Sequence, residues 1–257
     1  MERTAILITA IIGFGLTAIL GFWLIPWLKR LKYGQTINEI GPNWHKAKEG
    51  TPTMGGIMFI IGTLVALAVG YVTLILEAPQ FLGEQYLTEN VRLLAGVGAA
   101  IGCGAIGFLD DYLKVVHTRN LGLTAKAKMA LQFLVTALYL YVMYTFGACD
   151  TNMFIPFIGT FDLGIWYFVL SFIFIIGLVN AVNLTDGIDG LASSVTFVVS
   201  LCFIIISMLL GYVGTSLLAT AVAAGCVGFI LWNFHPAKVF MGDTGSMFLG
   251  GAVIAMG

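Results

Sequence analysis

Five aspartates near the ends of long apolar segments are the residues best suited to chemistry in this 257-residue chain. Asp110 and Asp111 are adjacent, Asp186 and Asp189 lie three residues apart, and Asp243 follows a glycine. Carboxylates that come together either bind a hard cation such as Mg²⁺ or share a proton. The alternative is structural, since an aspartate at a helix end can be a solvated ion-pair partner or a cap.

The acidic pair is followed by a lysine at helical spacing. Lys114 lies four residues after Asp110 and three after Asp111, so a helix would place the three side chains close together. An ammonium group beside paired carboxylates could neutralise the oxygens of a bound phosphate. An ordinary ion pair at a solvated helix end explains the same spacing, and the residues alone leave both interpretations open.

A second motif, NAVNLTDGIDG at 180–190, joins two apolar segments with almost no room for a loop. Asn183, Asp186 and Asp189 recur every third residue, which keeps them near one face if the turn is helical. Capping could account for one or two of the polar side chains in this motif, but not comfortably for all of them. The motif therefore favours a binding function.

A third motif precedes the last apolar run. Segment 233–246 contains Asn233, Phe240 and Gly242 before Asp243. A helix that begins there would expose backbone N–H groups at its positive end, where anions bind favourably. The alternative interpretation is that Asp243 simply caps the helix.

Lys48 and Thr53 repeat this combination of polar side chains and glycines before the second apolar run. Together the four motifs supply the carboxylates, amides, lysines and backbone N–H groups of a Mg²⁺-dependent phosphate or diphosphate site. The chain contains no GxxxxGKS/T loop, which argues against an ATPase.

The elements that must position these residues are membrane-spanning helices. Hydrophobic residues make up 59% of the chain and charged residues only 10%, which excludes a soluble or disordered protein. An outer-membrane barrel is disfavoured because its strands alternate with polar lumen positions. We therefore predict an all-α polytopic integral membrane protein with about eight transmembrane helices. The predicted segments are 4–28, 55–76, 91–109, 127–146, 163–182, 191–210, 213–232 and 244–256.

Basic residues predict the orientation of these helices. Ten of the twelve Lys and Arg residues lie on one side, which the positive-inside rule assigns to the cytoplasm. The N-terminus then lies outside, and the five aspartates lie at the cytoplasmic face. Ion-coupled transporters keep ionisable groups near mid-span, so a transporter or flippase is the weaker interpretation. The net charge of −1 gives no reason to expect nucleic acid as a partner.

Four motifs, in order along nearly the whole chain, resemble those of the phospho-N-acetylmuramoyl-pentapeptide transferase family. They are TPTMGG at 51–56, DDYLK at 110–114, NAVNLTDGIDGLA at 180–192 and VFMGDTGS at 239–246. The resemblance implies Mg²⁺-dependent transfer of phospho-MurNAc-pentapeptide from UDP-MurNAc-pentapeptide to undecaprenyl phosphate, giving lipid I and UMP. It also implies a bacterial inner-membrane location, an active site facing the cytoplasm, and a homodimer.

The same resemblance implies roles for individual residues. Asp243 matches the Mg²⁺ ligand, while Asp110 and Asp111 match a catalytic acidic pair near the lipid phosphate, with Asp110 the better candidate base. The positions that match substrate-binding or supporting residues are Lys48, Thr53, Lys114, Lys126, Asn183, Asp186, Asp189, Asn233, Phe240 and Gly242. The nearest alternative function is a sibling transferase that acts on UDP-GlcNAc or another UDP-HexNAc.

The last predicted segment is short for a membrane span. As a helix, residues 243–257 would extend only about 22 Å, against about 30 Å of hydrocarbon. Members of the family that the chain resembles continue through two further spans with a His-rich loop between them. We therefore expect a single transferase domain over 1–257 whose C-terminal part is missing, and about ten spans in the complete protein.

Overall fold

The computed structural model describes residues 2–30, 50–116 and 122–257, and within these ranges it is a bundle of eight α-helices. The helices are α1 (Glu2–Arg30), α2 (Gly56–Glu77), α3 (Leu87–Val116), α4 (Ala125–Thr145), α5 (Ile165–Thr185), α6 (Leu191–Leu210), α7 (Val213–Asn233) and α8 (Gly242–Met256). Two 3₁₀ turns, Pro79–Leu82 and Glu84–Tyr86, link α2 to α3. The predicted site residue Lys48 lies outside the described ranges.

Among the described residues, the seven helices α1 to α7 are long and apolar enough to cross a membrane. A helix satisfies its own backbone hydrogen bonds, which is why such apolar runs become helices in lipid. The prediction of an all-α polytopic membrane protein is therefore confirmed. The eighth predicted segment also forms a helix, α8, but its 15 residues make it shorter than the other seven.

One element departs from the all-α expectation. Strands β1 (Asn152–Ile155) and β2 (Gly159–Asp162) form an antiparallel hairpin between α4 and α5. Hydrogen bonds from the Thr151 hydroxyl and the Gly164 amide hold the pKa of Asp162 below its usual range. The hairpin was not predicted because its strands of four residues are much shorter than the apolar runs of about 20 residues that indicate membrane helices.

Helix α7 is the central helix of the bundle. Of the 18 consecutive residues that form its most apolar stretch, 83% are buried. The corresponding fraction for α5 is 11%, so α5 faces outward along most of its length. Small residues let neighbouring helices approach α7 closely: a Cβ at Gly225 would lie 2.5 Å from the Thr63 hydroxyl oxygen on α2. The core therefore sits around α7 rather than around α5.

Helices α3 and α8 are in direct backbone contact through glycines. A Cβ added at Gly251 would lie 2.7 Å from the Cα of Ala100, and one added at Gly107 would collide with the backbone carbonyl of Asp243. Such close approach is typical of small residues at helix interfaces in membranes. It brings the end of α3 to the beginning of α8, where the predicted acidic residues lie.

Candidate active site

Three of the five predicted aspartates form one cluster. Asp110 and Asp111 come from the end of α3, and Asp243 is the second residue of α8. One oxygen from each carboxylate lies within 4.8 Å of the others. The Asp110 and Asp111 side chains are only 5% and 4% exposed, whereas that of Asp243 is 22% exposed, so Asp243 is the most accessible of the three.

Two lysines neutralise most of the charge of this cluster. The Nζ of Lys114 lies 2.5 Å from Oδ2 of Asp110 and 3.0 Å from Oδ2 of Asp243. The Nζ of Lys128, on α4, lies 3.0 Å from the same Asp243 oxygen. Three carboxylates and two ammonium groups leave one net negative charge in a partly buried site. Such a site attracts a further cation, and its lysines can still donate hydrogen bonds to phosphate oxygens.

Asp111 has a structural task that the sequence does not reveal. Its Oδ2 accepts hydrogen bonds from the backbone N–H and the hydroxyl of Thr244, at 2.9 and 2.7 Å, and its Oδ1 accepts one from the Asp243 N–H at 3.3 Å. These N–H groups belong to the first turn of α8, and N–H groups in the first turn of a helix have no carbonyl acceptor within that helix. Asp111 therefore caps α8 from a neighbouring helix and holds Asp243 beside Asp110.

Asp110 remains the better candidate base of the acidic pair. Its Oδ1 accepts a hydrogen bond from the Leu123 N–H at 2.7 Å, while its Oδ2 contacts Lys114 and is directed toward the cluster. Asp111, by contrast, commits both of its oxygens to α8.

Asn183 reaches the cluster from the end of α5. Its Nδ2 donates to Oδ1 of Asp243 at 3.0 Å and to the Ser246 hydroxyl oxygen at 2.8 Å. Ser246 in turn donates to the Gly242 carbonyl at 3.0 Å. Asp243 is thus held on one oxygen by an amide and on the other by two lysines.

Thr53, Phe240 and Gly242 are also brought together. The segment before α2 pairs with the segment before α8: the Phe240 N–H donates to Pro52 O at 2.9 Å, and the Gly55 N–H donates to Phe240 O at 2.8 Å. Gly242 has a φ of +71°, and a Cβ there would lie 2.8 Å from the Thr53 hydroxyl oxygen. Glycine is required at this position because the left-handed backbone and the close contacts both exclude a side chain.

Asn233 supports the site rather than facing it. It is 1% exposed, its Oδ1 accepts from the Gly190 N–H at 3.0 Å, and its Nδ2 donates to Val239 O at 2.9 Å. Both ends of its amide therefore join the start of α6 to the segment before α8. This is the supporting role that the sequence motif allowed for Asn233 beside substrate binding.

Asp189 also joins α6 to this segment, while Asp186 lies at the end of α5. The Oδ2 of Asp189 accepts from the Ala237 N–H at 3.2 Å and lies 3.0 Å from Nδ1 of His235. Asp186 is half-buried and is the C-terminal cap residue of α5. Neither residue belongs to the three-carboxylate cluster.

Two residues that touch the cluster are not among the predicted site residues, and one predicted residue does not touch it. Lys128 and Thr244 touch the carboxylates, whereas Lys126 is exposed at the start of α4. Helical periodicity alone places Lys126 and Lys128 on different faces of α4, and it does not say which face meets α8. Among the described residues, Lys114, Asn183 and the three carboxylates are the predicted residues that come into direct contact.

The donor set fits a hard divalent cation. Carboxylate oxygens are the ligands that Mg²⁺ takes, and three of them converge here. The Nζ of Lys114 contacts all three carboxylates, at 2.5, 3.0 and 4.0 Å, so the position between them already holds a positive charge. Asp243, with Asp110 beside it, would hold the ion because its carboxylate is the most accessible.

The comparisons with known proteins agree with this architecture. The model for glycosyl transferase family 4 matches residues 93–257. This range includes the three carboxylates of the cluster. The chain is therefore a membrane-embedded transferase of this class.

A more specific match covers the segment before α2. Residues 48–60 match signature 1 of phospho-N-acetylmuramoyl-pentapeptide-transferase. The chain belongs to the phospho-N-acetylmuramoyl-pentapeptide-transferase family, as the four motifs predicted. Proteins of that name from Desulforamulus reducens, Bacillus subtilis and Clostridioides difficile are 46%, 42% and 40% identical in sequence to this chain. These alignments cover 98 to 100% of this chain and 73 to 75% of the relatives.

Proposed function

We propose that this enzyme transfers phospho-MurNAc-pentapeptide from UDP-MurNAc-pentapeptide to undecaprenyl phosphate with Mg²⁺, giving lipid I and UMP. This reaction would be the first membrane step of peptidoglycan synthesis. The observation that carries the proposal is the contact of Asp110, Asp243, Lys114 and Lys128 at the ends of membrane-spanning helices. Such a site can receive two phosphorylated substrates, one of which remains in the lipid.

The chain's own residues supply binding and charge balance for this reaction. Lys114 and Lys128 would exchange part of their contact with the carboxylates for contact with phosphate oxygens of the substrates. Asp110 is placed to accept a proton or to orient the lipid phosphate, and Asp111 keeps α8 in position. Bound Mg²⁺ would stabilise negative charge on the diphosphate as UMP leaves.

The site is proposed to face the cytoplasm of a bacterial inner membrane. The basic residues that support this orientation include Lys114 and Lys128 in the cluster itself. In a variant whose four native cysteines are replaced, a membrane-impermeant thiol reagent added outside should label a cysteine at Gln85 and not one at Ala237. Labelling at Ala237 from outside would place the cluster on the wrong side for a cytoplasmic nucleotide sugar.

The function is tested by measuring release of UMP. The purified protein should release UMP from UDP-MurNAc-pentapeptide when undecaprenyl phosphate and Mg²⁺ are present, and chelation of Mg²⁺ should stop the reaction. Faster release from UDP-GlcNAc would instead identify a sibling transferase. Transport of either substrate without UMP release would contradict an enzymatic role for the carboxylate cluster.

A further inference from the structure

The hairpin between α4 and α5 presents an exposed apolar tip. Segment 151–161 contains no charged residue. Phe154 and Ile158 are 69% and 68% exposed, and Phe157, in the turn between β1 and β2, is fully exposed. Phe157 also has a φ of +69°, a conformation for which turns favour Gly, Asn or Asp. Large apolar side chains that are exposed next to one another mark a surface that another molecule covers.

Both faces of the hairpin carry exposed apolar side chains. In the register of the sheet Met153 is opposite Phe161, while Phe154 is opposite Thr160 on the other face. Met153 and Phe161 are 37% and 44% exposed, so the bundle does not fully cover their face either. A two-stranded hairpin on its own is marginally stable in water. Burial of these side chains in an apolar medium would therefore stabilise it.

The hairpin lies at the end of the bundle opposite the carboxylate cluster. It follows the end of α4 and precedes the start of α5. Lys128 and Asn183, which contact Asp243, lie near the other ends of these two helices. Of the helices α1 to α7, α5 is the least buried. The hairpin is therefore attached at the lipid-facing rim of the bundle and not above its core.

The exposed apolar surface of the hairpin continues onto the lipid-facing surface of α5. Ile165 and Trp166, in the first turn of α5, are 72% and 65% exposed. Tryptophan is enriched where membrane helices pass from the hydrocarbon into the head-group region. A segment that joins α5 directly before this turn therefore lies at the depth of the head groups.

The polar groups of the hairpin fit this depth. Asp150 and Asp162 are exposed at the base of the hairpin, so the neutral tip can enter an apolar medium without burial of a charge. The outer edges of the two strands carry backbone groups that need polar partners, which the hydrocarbon does not supply. The head-group interface meets both conditions, because it combines water and polar groups with the ends of the acyl chains.

We infer that Phe154, Phe157 and Ile158 insert into the lipid leaflet at the end of the bundle opposite the cluster, and anchor the hairpin there. The partner is the bilayer, because the exposed surface is continuous with that of a helix that faces lipid. Interfacial segments of this kind reach about 5–10 Å into the boundary between head groups and acyl chains. The inference concerns membrane attachment, so it does not rest on the proposed function.

Spin labels measure the depth of the tip. A variant whose four native cysteines are replaced receives one new cysteine by Phe157→Cys, carries a nitroxide label there, and is placed in nanodiscs of phosphatidylcholine and phosphatidylglycerol. Collisions with oxygen, which concentrates in lipid, and with a water-soluble nickel complex give the depth of the label. The label at Phe157→Cys should collide more with oxygen than with nickel and lie about 5–10 Å below the head groups.

Two reference labels define lipid and water in the same nanodiscs. Leu134→Cys places a label on α4 at a position that is 65% exposed, and Gln85→Cys places one in the exposed link between α2 and α3. The label at Phe157→Cys should resemble the first and differ from the second. Access of nickel equal to that at Gln85→Cys would overturn the inference. Protection from both reagents would mean that protein covers the tip, which also contradicts insertion into lipid.

Charged substitutions test whether the apolar side chains hold the tip in the membrane. Phe154→Glu combined with Phe157→Glu should shift a label at Ile158→Cys out into water, because ionised carboxylates resist burial. Gln80→Glu combined with Gln85→Glu is the matched control, since it adds the same two charges at exposed positions of the link between α2 and α3. This control should leave the depth of the label unchanged. The same depth in the doubly charged hairpin would refute the inference.

Discussion

Asp243→Asn is expected to abolish turnover while leaving the fold intact. The asparagine keeps the shape of the side chain and one oxygen that can accept from Asn183, but it removes the charge that faces Lys114 and Lys128. A lost ligand for a charge-stabilising ion costs several kcal/mol of barrier, so activity should fall at least about 100-fold. The measurement is UMP release at saturating Mg²⁺ and substrates.

Thermal unfolding separates a lost ion site from a lost fold. Mg²⁺ should raise the unfolding temperature of the parent protein by binding its folded state, and it should raise that of Asp243→Asn much less. Asp162→Asn, which changes an exposed aspartate on the hairpin, is the control and should retain both activity and the response to Mg²⁺. Asp243→Asn activity above about a tenth of the parent value, a loss under ~1.4 kcal/mol, would contradict an essential ligand role.

Gly107→Ala is expected to have the second largest effect, although Gly107 carries no functional group. The added methyl would collide with the Asp243 carbonyl and lie 2.7 Å from the Thr244 nitrogen, so the start of α8 must move away from α3. Displacement of a catalytic group by about 1 Å can cost roughly 100-fold in rate, and overpacking of this kind costs about 1–3 kcal/mol of stability. Activity and unfolding temperature should therefore fall together.

Gly98→Ala is a matched control on the same helix. A Cβ at Gly98 meets no atom within 4 Å, so this substitution tests the change from glycine to alanine without the collision. Alanine favours a helix over glycine by about 1 kcal/mol, and Gly98→Ala should be neutral or slightly stabilising. Similar activity of the two variants would show that the contact between α3 and α8 does not position the site.

Much of the fold was predictable because the signals are local and strong. Each of the eight predicted apolar segments overlaps a helix of the structure, and most ends agree within a few residues. A long apolar run in lipid has few alternatives to a helix, so composition and length suffice. The hairpin from Asn152 to Asp162 was missed because its strands are short and lie in a connection between two helices.

The candidate site was predictable in its residue types but not in its contacts. The motifs contain Asp110, Asp111, Asn183 and Asp243, and the structure has these four residues in contact at one site. They did not show that Asp111 caps α8. A cap supplied by another helix has no characteristic spacing from the helix that it caps, so the sequence carries no signal for it. Nor did they show that the Asn233 amide is used up in joining α6 to the segment before α8.

By itself, the sequence determined that this protein spans a membrane, which family it belongs to, and which carboxylates could serve its chemistry. Only the tertiary structure decided which side chains meet. Lys126 and Lys128 are two residues apart, so their directions on α4 differ by about 200°. The packing of α4 against α3 brings Lys128 to Asp243. The period of a helix defines its faces, but the partner of each face depends on how distant segments pack.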